Sequence, residues 1–181
     1  MIRGVILDRD GVLNQDCPGF ITDPNAFLPI PGALEAVARL NRAGVPVAIA
    51  TNQSGVGRGL MTAEGLQAIH HRLVTLAEEV GAHFDAIYHC PHAPWDRCDC
   101  RKPAPGMLLR AQKDLNLDMG ASWFVGDKDT DIQCATAAGC RGVLVLSGLD
   151  TGYYPGESAS TPYLVCADLA GAVELFFAEA R

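Results

Sequence analysis

The sequence predicts a three-layer α/β fold in which helices cover both faces of a doubly wound, mainly parallel sheet. Short, nearly all-apolar runs alternate with segments of helical periodicity along the 181-residue chain. Strands that are apolar on both sides are typical of parallel sheets buried between helices. No remaining segment has the length of a second domain, so we expect a single domain over residues 1–181.

The apolar runs predict the strands, and apolar residues spaced three and four apart predict the helices. The predicted strands are 2–7, 45–50, 84–90, 122–127, 142–147 and 163–166. The predicted helices are 31–42, 62–80, 105–115, 131–138 and a last one from residue 168. Thr62 is the expected N-cap of the second helix, and Gly44, Gly81 and Gly139 are expected to end the first, second and fourth helices. The composition of residues 148–162 predicts a loop.

Composition and charge narrow the classes of partner. Fourteen Lys and Arg against 21 Asp and Glu give a net charge of −7, and the chain has no basic block of the kind that binds nucleic acid. No apolar run is long enough to cross a membrane, and the N-terminus does not resemble a signal peptide. We therefore expect a soluble, cytoplasmic protein that is a monomer, with no nucleic-acid or membrane partner.

Polar, chemically capable residues follow three of the predicted strands. They are Asp8 and Asp10, then Thr51, Asn52, Gln53 and Ser54, then Asp127, Lys128, Asp129 and Asp131. In open α/β sheets the ligand binds beyond the carboxyl ends of the strands, near a topological switch point. The regularity of this placement predicts one active site.

Asp8 and Asp10 are the most informative pair. Residues i and i+2 of extended chain project to the same side, and two carboxylates that close repel unless a cation or a proton lies between them. A metal-dependent site explains the pair. The alternative is a strand followed by an ordinary acidic turn.

Cys90, His92, Cys98 and Cys100 form the pattern C-x-H-x5-C-x-C. Three thiolates and one imidazole make a closed tetrahedral zinc set, which leaves no open position for substrate and is therefore structural. Unligated thiols, or a disulfide, are the alternatives. Because Arg101 and Lys102 follow the last ligand, we expect zinc to position these two cations.

Four segments together resemble the haloacid dehalogenase superfamily of phosphotransferases over about residues 1–147. They are DRDGVLN (8–14), TNQSG (51–55), the Arg101-Lys102 pair before Pro103, and VGDKDTD (125–131). The resemblance implies the three-layer, Rossmann-like HAD fold, here without a cap domain and with a zinc-binding loop at about 90–103. It also implies an enzyme of the phosphatase class, a phosphoric monoester hydrolase.

The resemblance further implies the catalytic roles. Asp8 attacks phosphorus and becomes an aspartyl phosphate, and Asp10 is the general acid/base. Asp8, the backbone carbonyl of Asp10 and Asp127 are the expected ligands of catalytic Mg²⁺. Thr51 and Lys102 are expected to bind the phosphoryl oxygens. The two remaining carboxylates, Asp129 and Asp131, are expected to support the metal ligands or to cap the helix, with Asp129 the nearer of the two to the metal.

The segment CPHAPWDRCDCRKP (90–103) resembles the zinc-bearing, capless branch that contains heptose 1,7-bisphosphate 7-phosphatases and histidinol-phosphate phosphatases. Ser54, Arg58 and the segment RKPAPGMLL favour the heptose enzymes, whereas the short gap between His92 and Cys98 favours the histidinol enzymes. We weight the substrate-side segments more, because the length of the zinc loop is a property of the scaffold. The expected reaction is removal of the C7 phosphate of D-glycero-D-manno-heptose 1,7-bisphosphate, a step toward ADP-heptose and the lipopolysaccharide core.

The expected substrate is thus a small phosphorylated sugar. Its predicted contacts are Asp16, Cys17, Pro18, Gly19, Thr51, Asn52, Gln53, Ser54, Arg101, Lys102 and Lys128. Arg101 is expected to bind a second anionic group. Histidinol phosphate hydrolysis is the alternative activity, phosphomutase activity is a lesser one, and a non-catalytic, zinc-stabilised phosphate-binding module is the alternative of a different class.

Overall fold

A computed structural model describes residues 2–149 and 162–179, and in these residues the six strands form one parallel sheet. The strands are β1 (Gly4–Leu7), β2 (Val47–Asn52), β3 (Ala86–Cys90), β4 (Ser122–Gly126), β5 (Arg141–Val145) and β6 (Leu164–Cys166). The helices are α1 (Ala33–Arg42), α2 (Ala63–Glu79), α3 (Gly106–Leu115), α4 (Asp129–Ala138) and α5 (Leu169–Glu179). Short 3₁₀ helices lie at Pro24–Ala26, Pro94–Asp96 and Met119–Ala121.

The strand order β3-β2-β1-β4-β5-β6 puts β1 at the centre of the sheet. The chain first builds outward from β1 to β2 and β3, and then crosses to the other side of β1 to form β4. The carboxyl ends of β1 and β4 therefore lie side by side, with Leu7 opposite Val125. This is the topological switch point at which open α/β sheets bind their ligands.

Alternate residues of the central strands enter two separate cores. Leu7 and Ile49 pack on the face covered by α1, α2 and α5. Ile6 and Phe124 pack on the opposite face, against α3 and α4. All four side chains are fully buried. The two cores confirm the predicted three-layer architecture, in which each strand is apolar on both sides.

Most predicted boundaries hold to within a few residues, and two shifts matter for the site. β2 runs to Asn52 instead of ending at residue 50, because Thr51 and Asn52 continue the pairing with β3. α4 begins at Asp129 instead of Asp131, because the Asp131 carboxylate accepts from the backbone N–H of Lys128 (3.1 Å) and caps the first turn.

The predicted helix ends are confirmed. Thr62 caps α2, since its hydroxyl accepts from the N–H of Gly65 (3.0 Å). Gly44, Gly81 and Gly139 each follow their helix with a positive φ.

The loop from β1 to α1 carries only the helix Pro24–Ala26, so the described residues form no cap domain. No helix in the described part of the chain combines the length and the apolar character needed to cross a membrane. The loop predicted at 148–162 falls almost entirely outside the described residues.

Candidate active site

Asp8, the predicted nucleophile, lies directly after β1 at the switch point. Its backbone N–H donates to the carbonyl of Val125 (2.8 Å), which extends the β1–β4 ladder by one residue. Its Oδ1 accepts from the backbone N–H of Arg9 (2.7 Å) and lies 2.9 Å from Lys102 Nζ. Strand pairing and these two contacts therefore fix the Asp8 carboxylate at the end of the central strand.

Lys102 lies between two carboxylates. Its Nζ is 2.9 Å from Asp8 Oδ1 and 2.7 Å from Asp131 Oδ1, and the side chains of Lys102 and Asp131 are almost completely buried. Burial alone would lower the pKa of Lys102, but the charges of Asp131 and Asp8 raise it above its usual value. Lys102 is therefore a permanent cation beside the nucleophile, as a role in binding phosphoryl oxygens requires.

Three buried carboxylates, those of Asp8, Asp127 and Asp131, offer oxygens within 4.8 Å of one another. Burial raises the pKa of Asp8 to about 6, against the opposing charge of Lys102. Burial and the charge of Asp8 raise the pKa of Asp127 to about 7. The cations of the protein thus leave negative charge uncompensated, and a hard divalent ion such as Mg²⁺ fits this all-oxygen donor set.

Two glycines leave room for the Asp127 carboxylate. A Cβ on Gly148 would lie 2.0 Å from Asp127 Oδ2, and one on Gly11 would lie 2.4 Å from the same atom. Gly11 also has a φ of +81°, in the left-handed region that favours glycine. The glycine of DRDGVLN is therefore needed both for the turn after β1 and for the space beside Asp127.

Lys128 connects the loops after β1 and β4. Its Nζ lies 3.0 Å from Asp127 Oδ2 and 3.2 Å from Asp16 Oδ2. Asp16 in turn accepts from the backbone N–H of Cys17 (2.8 Å). Asp16, Cys17 and Lys128, which are all predicted to contact substrate, thus lie together at one side of the site.

Asp10, the predicted acid/base, is held by three side chains. Arg9 donates through Nε (3.2 Å to Oδ1) and through Nη2 (2.9 Å to each oxygen), Asn14 Nδ2 donates to Oδ1 (2.9 Å), and Gln53 Nε2 donates to Oδ2 (2.8 Å). Burial alone would raise the pKa of Asp10, but the charge of Arg9 and these hydrogen bonds lower it below its usual value. The Asp10 side chain remains 21% exposed, so a ligand in the cavity can reach it.

The end of β2 supplies Thr51 and the residues that support it. Thr51 Oγ1 accepts from Gln53 Nε2 (3.0 Å), which leaves its hydroxyl proton available for a phosphoryl oxygen. Asn52 pairs with the backbone of Lys102, donating to its carbonyl (3.2 Å) and accepting from its N–H (3.1 Å). Asn52 therefore holds Lys102 in place, in addition to its predicted contact with substrate.

The four predicted zinc ligands converge. Cys90 Sγ lies 3.6 Å from both Cys98 Sγ and His92 Nδ1, and His92 Nδ1 lies 3.2 Å from Cys100 Sγ. All seven cysteines lie in described residues and none forms a disulfide, so the disulfide alternative is wrong. Four soft donors this close fit the corners of one tetrahedral site.

The segment from Cys90 to Pro103, hereafter the zinc loop, packs on the segment that follows β2. The N–H of Gln53 donates to the carbonyl of Cys90 (2.8 Å), and the N–H of Gly57 donates to the carbonyl of Pro91 (2.8 Å). A Cβ on Gly57 would lie 2.7 Å from the Pro91 carbonyl oxygen, so this approach requires glycine. The zinc loop thus contacts the segment after β2 through its first residues, and it ends in the two cations Arg101 and Lys102, which line the cavity.

A cavity of about 400 Å³ opens above these groups. It is lined by ten of the eleven residues predicted to contact substrate, namely Asp16, Cys17, Gly19, Thr51, Asn52, Gln53, Ser54, Arg101, Lys102 and Lys128. Pro18 is exposed and does not line the cavity. Phe20, Ile21 and Thr130 also line it and were not predicted. Their contact with a substrate stays a prediction.

The expectation that Asp129 lies nearer the metal than Asp131 is wrong. Asp129 is exposed and accepts from Gln133 Nε2 (2.5 Å), one turn along α4. Asp131 faces inward because α4 begins two residues earlier than predicted. A Cβ placed on Gly126 would lie 2.2 Å from the Cβ of Asp131, so the inward-facing Asp131 packs directly on the end of β4.

Similarity to known proteins extends over the whole fold. A family model described as HAD-hydrolase-like matches residues 99–172. The D-glycero-β-D-manno-heptose-1,7-bisphosphate 7-phosphatase of Pseudomonas aeruginosa is 47% identical over 144 residues, which are 80% of this chain and 81% of that protein. The enzyme of the same name from Bordetella bronchiseptica is 41% identical over 97% of this chain and 98% of that protein.

Solved structures agree with the sequence relatives. The crystal structure of D,D-heptose 1,7-bisphosphate phosphatase from B. bronchiseptica, complexed with magnesium and phosphate, has a TM-score of 0.90 and 40% identity, covering 98% of this chain and 99% of that chain. Identity at this level and over this length is sufficient to assign the family. The chain belongs to the HAD-like hydrolases, in the family of the heptose-1,7-bisphosphate 7-phosphatases.

Proposed function

We propose that this phosphatase removes the C7 phosphate of D-glycero-β-D-manno-heptose 1,7-bisphosphate by a magnesium-dependent reaction through an aspartyl phosphate on Asp8. The observation that carries the proposal is the buried ion pair between Asp8 and Lys102 (2.9 Å) beside the carboxylate of Asp127. It places a nucleophile, a phosphate-binding cation and a ligand for a divalent ion at one point. The names of the relatives supply the substrate and the β anomer.

The reaction has two half-reactions. First, a carboxylate oxygen of Asp8 attacks phosphorus, the bond from phosphorus to the sugar oxygen breaks, and that oxygen takes a proton from Asp10. Against the effect of burial, Arg9 lowers the pKa of Asp10 in the site without ligand, and the negative charge of the bound phosphate would raise it so that Asp10 can carry this proton. Second, water attacks the phosphorus of the aspartyl phosphate and gives a proton to the Asp10 carboxylate, and the bond to Asp8 breaks to release inorganic phosphate. Asp10 thus returns to its starting form.

Charge is the main obstacle to this attack, because a carboxylate approaches a phosphate dianion. Lys102 supplies a fixed cation at the nucleophile, and the Thr51 hydroxyl can donate to a phosphoryl oxygen. Asp8, Asp127 and the Asp10 carbonyl would hold Mg²⁺, which would neutralise phosphoryl charge there. In-line phosphoryl transfer depends mostly on such positioning and electrostatics.

Arg101 supports a substrate with a second anionic group. It lines the cavity beside Lys102, and its buried Nη1 has no hydrogen-bond partner among the described residues. A buried guanidinium nitrogen without a partner is costly, and a second phosphate would satisfy it. The cavity of about 400 Å³ is in the size range of small-molecule sites. Histidinol phosphate, which has one phosphate, is less well matched.

Zinc in the cluster of Cys90, His92, Cys98 and Cys100 is a part of this proposal, as a structural ion. A cytoplasmic location is a second part, because thiolate ligands persist in reducing compartments. A monomeric state is a third. The product would serve synthesis of ADP-heptose for the lipopolysaccharide core.

A substrate panel tests the proposal. Phosphate release from the β and α anomers of heptose bisphosphate and from histidinol phosphate is measured with Mg²⁺ and with EDTA. We expect the β-heptose compound to be preferred, EDTA to abolish release, and Asp8→Asn to remove activity while zinc content is kept. A preference for histidinol phosphate would overturn the substrate, and unchanged hydrolysis by Asp8→Asn would overturn the mechanism. Phosphate binding without turnover would favour the binding module.

A further inference from the structure

Arg9 is the largest of the fully buried side chains in the described residues, and it is charged. Its side chain is 1% exposed. Buried arginine is rare, because removing a guanidinium from water costs several kcal/mol unless it is paired and hydrogen-bonded. An apolar residue of similar volume would fill the same space at lower cost. The burial of Arg9 therefore calls for a reason other than packing.

The contacts of Arg9 point to one residue. Its Nε and Nη2 donate to Asp10 at 2.9–3.2 Å in a forked arrangement, while its Nη1 has no hydrogen-bond partner among the described residues. This fork is the geometry in which arginine fixes the plane of a carboxylate. Asp10 is its ion-pair partner in the described structure.

Two histidines near Arg9 supply no competing negative charge. His70 of α2 and His89 of β3 have ring centroids 5.7 Å apart. Burial, followed by the charge of Arg9, lowers the pKa of His70 to about 3, so this ring is neutral near pH 7. Neither ring is an anion, and the ion-pair partner of Arg9 is therefore Asp10.

We infer that Arg9 is a positioning residue, which fixes the Asp10 carboxyl for proton transfer to the departing oxygen. This inference rests on the proposed function, in which Asp10 is the acid/base. Arg9, which also lines the cavity, sets the plane of the carboxyl through its forked contact, while Gln53 holds Oδ2 (2.8 Å) on the side of Thr51. A misplaced Asp10 slows the reaction in proportion to the need of the leaving group for a proton.

A pair of substrates of similar size separates this role from a structural one. In p-nitrobenzyl phosphate the leaving group is an alkoxide, which needs a proton, whereas in p-nitrophenyl phosphate it is a stable phenolate, which does not. The quantity measured is the ratio of kcat/KM for the aryl compound to kcat/KM for the alkyl compound, with Mg²⁺ at fixed pH. We expect Arg9→Met to raise this ratio at least tenfold and Arg9→Lys, which keeps the charge but not the fork, to raise it severalfold.

A double-mutant cycle with Asp10→Asn shows whether Arg9 acts through Asp10. In the Asp10→Asn background, Arg9→Met should not raise the ratio further. The matched control is Leu73→Ala, which opens the core under α2 and should lower stability while leaving the ratio unchanged. Thermal unfolding of every variant is recorded, and Arg9→Lys decides the question if Arg9→Met does not fold.

Equal losses for both substrates in the Arg9 variants would make Arg9 a structural brace and would overturn the inference. A further rise of the ratio in the Asp10→Asn background would also overturn it. A wild-type protein that releases no phosphate from the heptose bisphosphate with Mg²⁺ would reject the proposed function itself, which is a different and separable outcome.

Discussion

Asp131 and Asp129 are two residues apart and have opposite environments. Asp131 is buried, pairs with Lys102 (2.7 Å) and caps α4 through the N–H of Lys128 (3.1 Å). Asp129 is exposed and accepts a hydrogen bond from Gln133 of the same helix. The charge of Asp131 helps to hold the Lys102 ammonium near Asp8, so in the proposed mechanism Asp131 supports the cation that binds phosphate.

Asp131→Asn is expected to lower kcat for the heptose bisphosphate roughly 10- to 100-fold, because a charge-assisted hydrogen bond to buried Lys102 contributes about 1.5–3 kcal/mol. The asparagine retains the size of the side chain and a cap for α4. Asp129→Asn is the matched control and should stay within about twofold, as is usual for exposed substitutions. Steady-state kinetics with saturating Mg²⁺ check both. Equal effects of the two variants would refute the assignment.

Residue types at the strand ends were sufficient to predict Asp8 and Asp127, whereas Lys102 was predicted from its place after the last expected zinc ligand and from the family resemblance. These three residues meet in the structure. The partners Arg9 and Asn14 were missed, although both stand inside the DRDGVLN motif. Their roles depend on where the side chains of Arg9 and Asn14 point in the turn after β1. Helical and strand periodicity in the sequence does not predict side-chain direction in a turn. A charged residue directly after a buried strand is a signal that could have drawn attention to Arg9.

At the scale of elements, the zinc loop has little regular structure, and its four soft donors are close enough for one metal ion to join them. Within it the structure has one short helix, Pro94–Asp96, between the first two and the last two ligands. Its backbone contacts with the segment after β2 and the position of Arg101 and Lys102 directly after Cys100 link the four donors to the cavity. The proposed zinc would therefore hold the shape of the loop and, through it, these two cations.

Cys98→Ser is expected to remove zinc and to raise KM for the heptose bisphosphate by about tenfold or more, a size typical of changes around metal sites. The effect on kcat should be smaller, because Asn52 still holds the backbone of Lys102. Zinc content by elemental analysis and steady-state kinetics provide the measurement. Cys166→Ala, which removes a buried thiol in β6, is the control and should keep both zinc and KM. A zinc-free Cys98→Ser protein with unchanged KM would show that the loop does not depend on the ion.

The element boundaries that the sequence misjudged have local causes. Apolar patterning ended β2 at residue 50, yet Thr51 and Asn52 continue the ladder through backbone bonds that any side chain permits. The same patterning began α4 at Asp131, whereas the first turn consists of polar residues held by a cap. Patterning detects what a segment buries, and both of these extensions depend on hydrogen bonds instead.

At the scale of the whole molecule, the switch at β1 brings together groups that are distant in sequence. The alternation of strands and helices predicted the layers, and right-handed crossovers restrict the strand order to few choices. The observed strand order depends on which strands pair with β1. A single sequence does not show which strands pair. The observed order places His70 of α2 and His89 of β3 near Arg9, a grouping that sequence spacing did not suggest.

The buried His70 makes the stability of the whole fold sensitive to acid. Its pKa is about 3 in the folded protein against an ordinary value of 6.5, and its Nε2 has no hydrogen-bond partner among the described residues. Between these values the unfolded chain binds more protons than the folded one, so the free energy of unfolding falls as pH falls. The contribution of neutral His70 is fully present above pH 6.5 and is lost progressively toward pH 3.

His70→Leu is therefore expected to flatten the pH dependence of stability between pH 6.5 and 4, by up to a few kcal/mol, because leucine takes up no proton. Urea unfolding of the metal-free protein at several pH values provides the free energies, and the comparison concerns slopes, so a uniform change from repacking does not interfere. His71→Leu removes the exposed neighbour and should leave the slope as in the wild type. Parallel curves for wild type and His70→Leu would mean that His70 has the same pKa in the folded and the unfolded protein. The low pKa of the buried His70 would then be refuted.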